Sequence, residues 1–437
     1  PLSAQAHLLA ASPQRPIIHV AAHDKDAEQW LHLLPFMAPD AHILHFPAWD
    51  CLPYDRVSPS HTIAAERLNV LSRLAQGLEP NTIIVTTVNA ITQRIPPRRA
   101  MREASLFLEK GGTLHHDGFM AQLARQGYQR ASKVMEKGEF AVRGSIIDLF
   151  PAGQEQAIRI DLFGDEIESL RLFDPLTQIS GEAVERIQLQ PISEITLSEE
   201  NIDRFRTRYR EQFGVSGKND PLYEALSEGR NYPGIEHWLP LFYERLETLF
   251  DYLPGALISV DSAFATIHEE RTEAIRDYYE ARKSHAEKRN DEAVYHPIPP
   301  YQLFLSPEDW QERLAHHPAL TLGAFRQEGA NAIECSLPPA PSLYHARHGK
   351  GGNVWELISE RIRSQTQPSL FACNSPGSLE RFDKMLKEHG FAPVRLEHWE
   401  EALKLTREQI ALTVLPIEQG FIHPSLTLFS EQDALGE

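Results

Sequence analysis

Several kinds of side chain in this sequence have a type and spacing that could do chemistry: lysines behind glycines, neighbouring histidines, neighbouring carboxylates and free thiols. A loop that cradles a triphosphate needs the full G-x-x-x-x-G-K-[ST] pattern. Gly214-Val-Ser-Gly-Lys218 and His348-Gly-Lys-Gly-Gly352 lack its first glycine and its trailing hydroxyl, so both read as loops. His268-Glu-Glu-Arg271 lacks the second histidine of a zinc-protease helix. His115-His116 and His316-His317 are adjacent, so their side chains diverge, and no Cys or carboxylate completes a ligand spacing. Asp50 with Asp55, and Asp161 with Asp165 and Glu166, are spaced like acid–base pairs, but a chain with 61 acidic residues produces such pairs on a solvated surface. Cys51, Cys335 and Cys373 are far apart and read as reduced, cytosolic thiols. No G-x-G-x-x-G or G-x-S-x-G is present. The residue types point away from a catalytic centre.

What stands out instead is the run Glu139–Asp174, which reads as three short strands: Ala141–Phe150, Ala157–Phe163 and Ile167–Phe173. Along the second, Ile158, Ile160 and Leu162 share the core face, and Arg159, Asp161 and Phe163 share the other. An aromatic among Arg and Asp has two readings. It is a protein-docking surface, because Arg and aromatics are enriched at interface hot spots, or it caps a strand end against the turn at Gly164.

The elements that position this run alternate strand and helix. Pro16–Val20, His42–Phe46 and Thr82–Val88 read as strands, with helices near Asp26–Leu34 and Thr62–Leu74, a pattern that predicts a parallel sheet. Short alternating strands follow from about Leu106 to Ile192, with one helix at Gly118–Gln126. Helices return at Glu199–Phe213 and Asp220–Glu228. Gly255–Val260 is then a strand, and Ala263–Asn290 is a long charged helix with Phe264, Ile267, Ile275 and Tyr278 on one stripe. Proline-rich breaks at His296–Pro300 and Ser336–Ser342 precede a smaller α/β region with helices Asn353–Arg363 and Leu379–His389 and strands Ser369–Cys373, Ile410–Leu415 and Ser425–Phe429. The expected division is 1–105, 106–193, 194–334, a linker at 335–344, and 345–437. The 437 residues have ordinary soluble composition, and a net charge of -18 argues against a surface that binds nucleic acid non-specifically. No apolar run approaches the roughly 18 residues of a membrane span, so no membrane partner is expected. The start at Pro1 reads as a fragment of something longer.

A resemblance enters with longer motifs. Phe46-Pro-Ala-Trp-Asp-Cys-Leu-Pro-Tyr-Asp55 with Ser58-Pro59, Val134-Met-Glu-Lys-Gly-Glu-Phe140, Arg143-Gly144, Ile147-Asp-Leu-Phe-Pro151, Leu172-Phe-Asp174 and Gly234-Ile-Glu236 with Trp238 resemble the N-terminal part of the bacterial transcription-repair coupling factor family. The resemblance covers nearly the whole chain, and the part before the linker is also similar to the nucleotide-excision-repair helicase UvrB. It implies an α/β fold: a degenerate RecA-like domain 1A, an α+β domain 2 that interrupts it, a domain 1B that completes it, and a small α/β domain 3.

Asp261 falls in the family's Walker B run, and Ser262 stands where the catalytic Glu belongs, so no carboxylate orients an attacking water. The Walker A loop is absent from this chain, its position either lost or cut away ahead of Pro1. The stretch from Tyr54 to the helix near Thr62 is too short for the helicase's damage-probing hairpin. The resemblance therefore implies no catalytic residue, metal or cofactor here, with ATP and Mg belonging to the missing motor of the full-length family. It assigns domain 2 to binding the damage-recognition ATPase UvrA through Arg143, Arg159 and Phe163, with two guanidiniums pairing partner carboxylates while Phe163 fills a pocket. It further implies that the full-length chain's own C-terminal domain masks domain 2, that RNA polymerase and DNA are engaged through missing domains, and that the protein is cytoplasmic. Two alternatives stand beside recruitment: a residual nucleotide-dependent DNA-binding enzyme, and an intramolecular clamp on the missing motor.

Overall fold

Runs of β-branched residues between amphipathic helices build the first layer of the computed structural model, which describes residues 1–77, 79–151, 153–214, 220–288, 295–324, 332–343, 354–364 and 367–436. Strands β1 (Ile17–Ala21), β2 (His42–Phe46) and β3 (Thr82–Thr87) are parallel, with β3 buried along its whole length. Because side chains alternate, Ile17 and Ala21 point to one face and Ile18 and Val20 to the other. The first face is covered by helices α1 (Leu2–Ala10) and α2 (Asp24–Met37), the second by α3 (His61–Gln76). Ser60 caps α3 by accepting from the Ile63 amide at 3.4 Å.

The chain then leaves this sheet. Strand β4 (Leu106–Glu109) is followed by the helix His116–Arg125, and then by β5 (Gln129–Arg130), β6 (Glu139–Arg143), β7 (Ile146–Leu149), β8 (Ala157–Phe163), β9 (Glu166–Phe173), β10 (Ser180–Ala183) and β11 (Arg186–Leu189). Strands β10-β9-β8-β7-β6-β5 form a sheet in that order, antiparallel except for β5–β6, and β11 pairs with β4. The expected single strand Ala141–Phe150 is two strands. Gly144 has φ 64, which a two-residue hairpin turn with glycine first requires, so the chain reverses inside an apparently continuous apolar run. Gly164, also at φ 64, makes the equivalent turn between β8 and β9.

After the helix Glu199–Phe213 the chain returns to the first sheet. Strands β12 (Leu257–Asp261) and β13 (Ala319–Leu322) complete the parallel order β13-β12-β1-β3-β2. A parallel sheet interrupted by an α+β unit is the fold class expected. The long helix Phe264–Lys288 buries Phe264 and Ile275. Tyr279, four residues beyond Ile275, packs inward rather than the expected Tyr278, which is exposed.

The last region is a second parallel sheet, with β14 (Ser369–Cys373), β15 (Val394–Arg395), β16 (Ile410–Val414), β17 (Phe421–Ile422) and β18 (Thr427–Ser430) in the order β15-β16-β14-β18-β17 and only β17 antiparallel. One face of this sheet packs on the same helices that cover β1. Trp30, Leu33, Leu34, Phe36 and Met37 of α2 share one continuous core with Ile83 and Val85 on one side and with Leu370, Trp399 and Phe421 on the other. The His7 ring lies 5.0 Å from Trp399, the Ser3 hydroxyl donates to the Gln419 carbonyl at 2.7 Å, and Lys25 pairs with Glu418 at 3.3 Å.

Candidate protein-docking face

Strand register decides which side chains of the six-stranded sheet share a face. Arg143 stands opposite Ile146, and Ile146 opposite Asp161, so Arg143 and Asp161 lie on the same face. One row along, Ala141, Asp148, Arg159 and Arg171 are directly opposite one another in turn. Phe163 follows Asp161 by alternation along β8. Arg143, Arg159 and Phe163 are therefore brought to one face, Arg143 and Phe163 at the end where both hairpin turns lie. The Ser145 carbonyl accepts from the Leu162 amide at 3.1 Å and holds the two turns side by side. The opposite face carries Ile147, Leu149, Ile158, Ile160, Leu162, Ile167 and Leu170 into the core against Phe119 and Leu123.

The three residues differ in what they already touch. Phe163 is 78% exposed. It does not cap the strand end by packing; it flanks an open groove of about 460 Å³ lined also by Lys110, Gly111, Glu166, Ile167, Glu168 and Glu185. Arg143 is exposed and makes one long hydrogen bond, 3.4 Å, to the Ser132 carbonyl. Arg159 is committed within the chain. Its Nε and Nη2 donate to the two oxygens of Asp148 at 2.7 and 2.9 Å, its Nη1 donates to Ser180 Oγ at 3.0 Å, and its guanidinium lies 4.8 Å over the Phe173 ring. Asp148 is 1% exposed. The bidentate pair expected between Arg159 and a partner's carboxylate is thus already made internally. Around it Val134, Ala141, Phe150, Ala157 and Phe173 form a small second core, closed by the Gln178 side chain, which donates to the Val134 carbonyl at 3.2 Å.

Asp148 is the residue that sequence reading missed. Its alternation with Ile147 and Leu149 places it on the arginine face, and that signal is present in the sequence. Its pairing to Arg159 depends on the register across β7 and β8, which is not.

The other candidate sites have different settings. Asp261 ends β12, and its Oδ1 accepts from the Ala263 amide at 2.7 Å in the turn that leads into the long helix, while Ser262 is exposed. Between Tyr54 and α3 the chain is pinned: Ser58 Oγ accepts from the Gly234 amide at 2.9 Å, and Asp50 accepts from the Ser60 amide at 2.8 Å. His115 pairs with Asp165 at 3.0 Å and His116 with Asp117 at 3.1 Å, both at the surface, and His317 bonds the Ala256 carbonyl at 3.2 Å. Among the described residues no group of His, Cys, Asp and Glu could hold a metal ion, and no helix is long and apolar enough to cross a membrane. Val215–Lys218 and His348–Gly352, from the two glycine–lysine runs, lie outside the described residues.

One buried polar cluster ties the inserted region to the first sheet. Arg67 of α3, 0% exposed, donates to Glu194 at 2.6 Å, to the Pro47 carbonyl at 2.7 Å and to Gln93 at 3.0 Å, and stacks 4.4 Å over Phe46. Trp49 Nε1 donates to the same Glu194 oxygen at 3.0 Å, and Tyr243 donates to the Glu194 carbonyl at 2.7 Å. The Glu194 carboxylate takes these side-chain donors through Oε1, and the pairing fixes where the chain leaves the inserted region.

Comparison with known proteins gives two family matches within the chain. Residues 106–194 match the family described as the UvrB interaction domain, and residues 362–433 match the MFD, D3 domain. The chain is 31% identical to the transcription-repair-coupling factor of Haemophilus influenzae over 86% of its own length and 32% of that protein. It is 31% identical to that of Escherichia coli over 91% of its length and 34% of that protein, and 28% identical to that of Rickettsia bellii over 96% and 36%. The chain spans about a third of the length of these curated relatives. Over the span that it covers, with a match to the UvrB interaction domain ahead of a match to the MFD D3 domain, the chain is similar to the transcription-repair-coupling factors.

Proposed function

We propose that this chain is a non-catalytic docking module that recruits UvrA, in the cytoplasm, to RNA polymerase stalled at DNA lesions. The observation that carries the reading is Phe163, a large aromatic 78% exposed at a rigid hairpin end, with Arg143 on the same face. Phe163 enters an apolar pocket of UvrA, Arg143 pairs with a carboxylate there, and Arg159 acts as a positioning residue that holds the face in shape through Asp148. The same face is the surface that the C-terminal domain of a full-length chain covers when UvrA is absent. RNA polymerase, DNA and ATP are engaged by segments beyond this chain, and the module itself works without nucleotide. Ser262, exposed beside Asp261 at the end of β12, supports that last point.

Calorimetric titration of UvrA tests the reading. An aromatic side chain covers about 150–250 Å², so burying four-fifths of Phe163 at about 25 cal/mol per Å² corresponds to roughly 3–5 kcal/mol before ordering costs. Phe163→Ala is expected to weaken binding by at least about 2 kcal/mol, roughly 30-fold, and Arg143→Ala by at least about tenfold, with unchanged thermal unfolding. If both variants bind UvrA like the parent, the face is misassigned.

A further inference from the structure

We propose that Arg171, on the strand next to Arg159, is a direct contact of the docking face, and that the partner presents a carboxylate to it. The proposal rests on the docking reading above and adds a residue and a charge to it. Arg171 is exposed and stands directly opposite Arg159 across β8 and β9. Like charges placed directly opposite destabilise a sheet pair. Arg159 escapes that penalty because Asp148 neutralises it at 2.7 and 2.9 Å. Arg171 does not. Directly opposite it stand Arg159 and Ala183, with Ser169 and Phe173 beside it along its own strand, and the one acid nearby on the face, Asp161, is diagonal to it and does not pair with it. Among the described residues its side chain makes no hydrogen bond or ion pair.

Other exposed arginines of this chain do have an acid within reach, as Arg230 has Glu228 and Arg395 has Glu380. On this row Asp148 is consumed by Arg159, so one positive charge is left over, about one strand spacing from a locked neighbour that cannot swing away. A carboxylate arriving from outside would meet a fork with all its donors free. Phe163 at the hairpin end and Arg143 on the same face make this one continuous surface, cationic along one row and aromatic at its tip. The occupant that fits is an acidic protein surface with an apolar pocket. A phosphate backbone fits poorly, because Asp161 stands in the neighbouring row and Glu166 beside Phe163.

The test uses the whole chain and purified UvrA. Arg171→Gln and Arg171→Glu are titrated beside the parent, each at two salt concentrations, with hydrogen exchange of peptides from 139–173 to verify the sheet. The expected result is at least tenfold weaker binding for Arg171→Gln, more for Arg171→Glu, a shallower salt dependence than the parent, and parent-like exchange. A parent that binds UvrA together with Arg171 variants that bind within threefold of it would overturn the assignment and leave the docking reading standing. A parent that does not bind UvrA removes both. If Arg171→Glu instead abolishes binding of duplex DNA and leaves UvrA binding unchanged, the partner chemistry is nucleic acid and the proposal is wrong.

Discussion

Replacing Arg159 with alanine separates a structural arginine from a contact arginine. The substitution strands Asp148, a carboxylate 1% exposed whose two oxygens are both held by Arg159. A buried carboxylate without its partner either stays charged, at about 3–5 kcal/mol, or takes up a proton. Protonation sets a ceiling. With an unfolded value near 3.9, neutralising an aspartate at pH 7 costs about 1.4 kcal/mol per unit over roughly three units, or about 4 kcal/mol. Loss of the guanidinium stacked 4.8 Å over Phe173 adds a few tenths to 1 kcal/mol. The sheet is therefore expected to lose about 3–4 kcal/mol at pH 7 and to regain most of it near pH 5, where the proton is cheap. Arg159→Ala/Asp148→Asn is expected to recover stability at pH 7 as well. Tryptophan fluorescence does not see this sheet, because no tryptophan lies between Trp49 and Trp238. Hydrogen exchange of peptides spanning β6–β9 reads it directly. Parent-like protection at pH 7, or a loss that does not diminish by pH 5, would refute the claim that Arg159 is spent on holding Asp148. UvrA binding lost without any change in exchange would make Arg159 a contact after all.

Further outcomes follow from other buried groups. Arg67→Ala leaves Glu194 buried without its guanidinium and is expected to destabilise the chain by about 3–5 kcal/mol, with a change in the emission of Trp49, which donates to the same carboxylate. Acid is expected to weaken the core shared by the first and third sheets. Burial holds His19 neutral, with its pKa lowered to about 3, and burial with the nearby His423 lowers His7 to about 4. Stability from these groups is complete above about pH 6.5, where the unfolded histidines are also neutral, and is lost as pH falls from there toward 4, by about 3 kcal/mol for His19 alone. The adjacent Glu236 and His237 offset one another: burial raises Glu236 to about 7 and lowers His237 to about 4, so over that range one gains what the other loses. Melting curves of the parent and of His19→Gln between pH 7 and pH 4.5 check this, with the variant expected to show the flatter dependence. Steady-state ATP hydrolysis is expected at background, and a saturable rate above it would return the strand end at Asp261 to consideration as a catalytic site.

How much was legible depended on whether the deciding contact was local. His42–Phe46, Glu199–Phe213 and Ser369–Cys373 are found at the residues read from the sequence, because apolar runs and a serine cap announce them: Ser198 accepts from the Asn201 amide at 3.2 Å. The face of Phe163 was legible for the same reason, since alternation along one strand needs no partner. The turn at Gly144 was not, because an apolar run of the right length reads as one strand unless the glycine is given a positive φ. The lock on Arg159 was not, because register joins residues that periodicity treats separately. Arg67 reads as an ordinary polar position on α3, and only the approach of Glu194 makes it a core residue. The shared core was the least legible feature, because His7 and Trp399 meet across nearly the whole chain.

That shared core has a mechanical consequence. A helix with one sheet on each side is a shear coupling: a pull on the last sheet reaches the first through packed side chains such as Trp30, Phe36, Trp399 and Phe421, and not through the proline-rich stretch that joins them in sequence. The two sheets should therefore yield together under load, while the six-stranded sheet, which draws on separate cores, stays folded and keeps presenting Phe163.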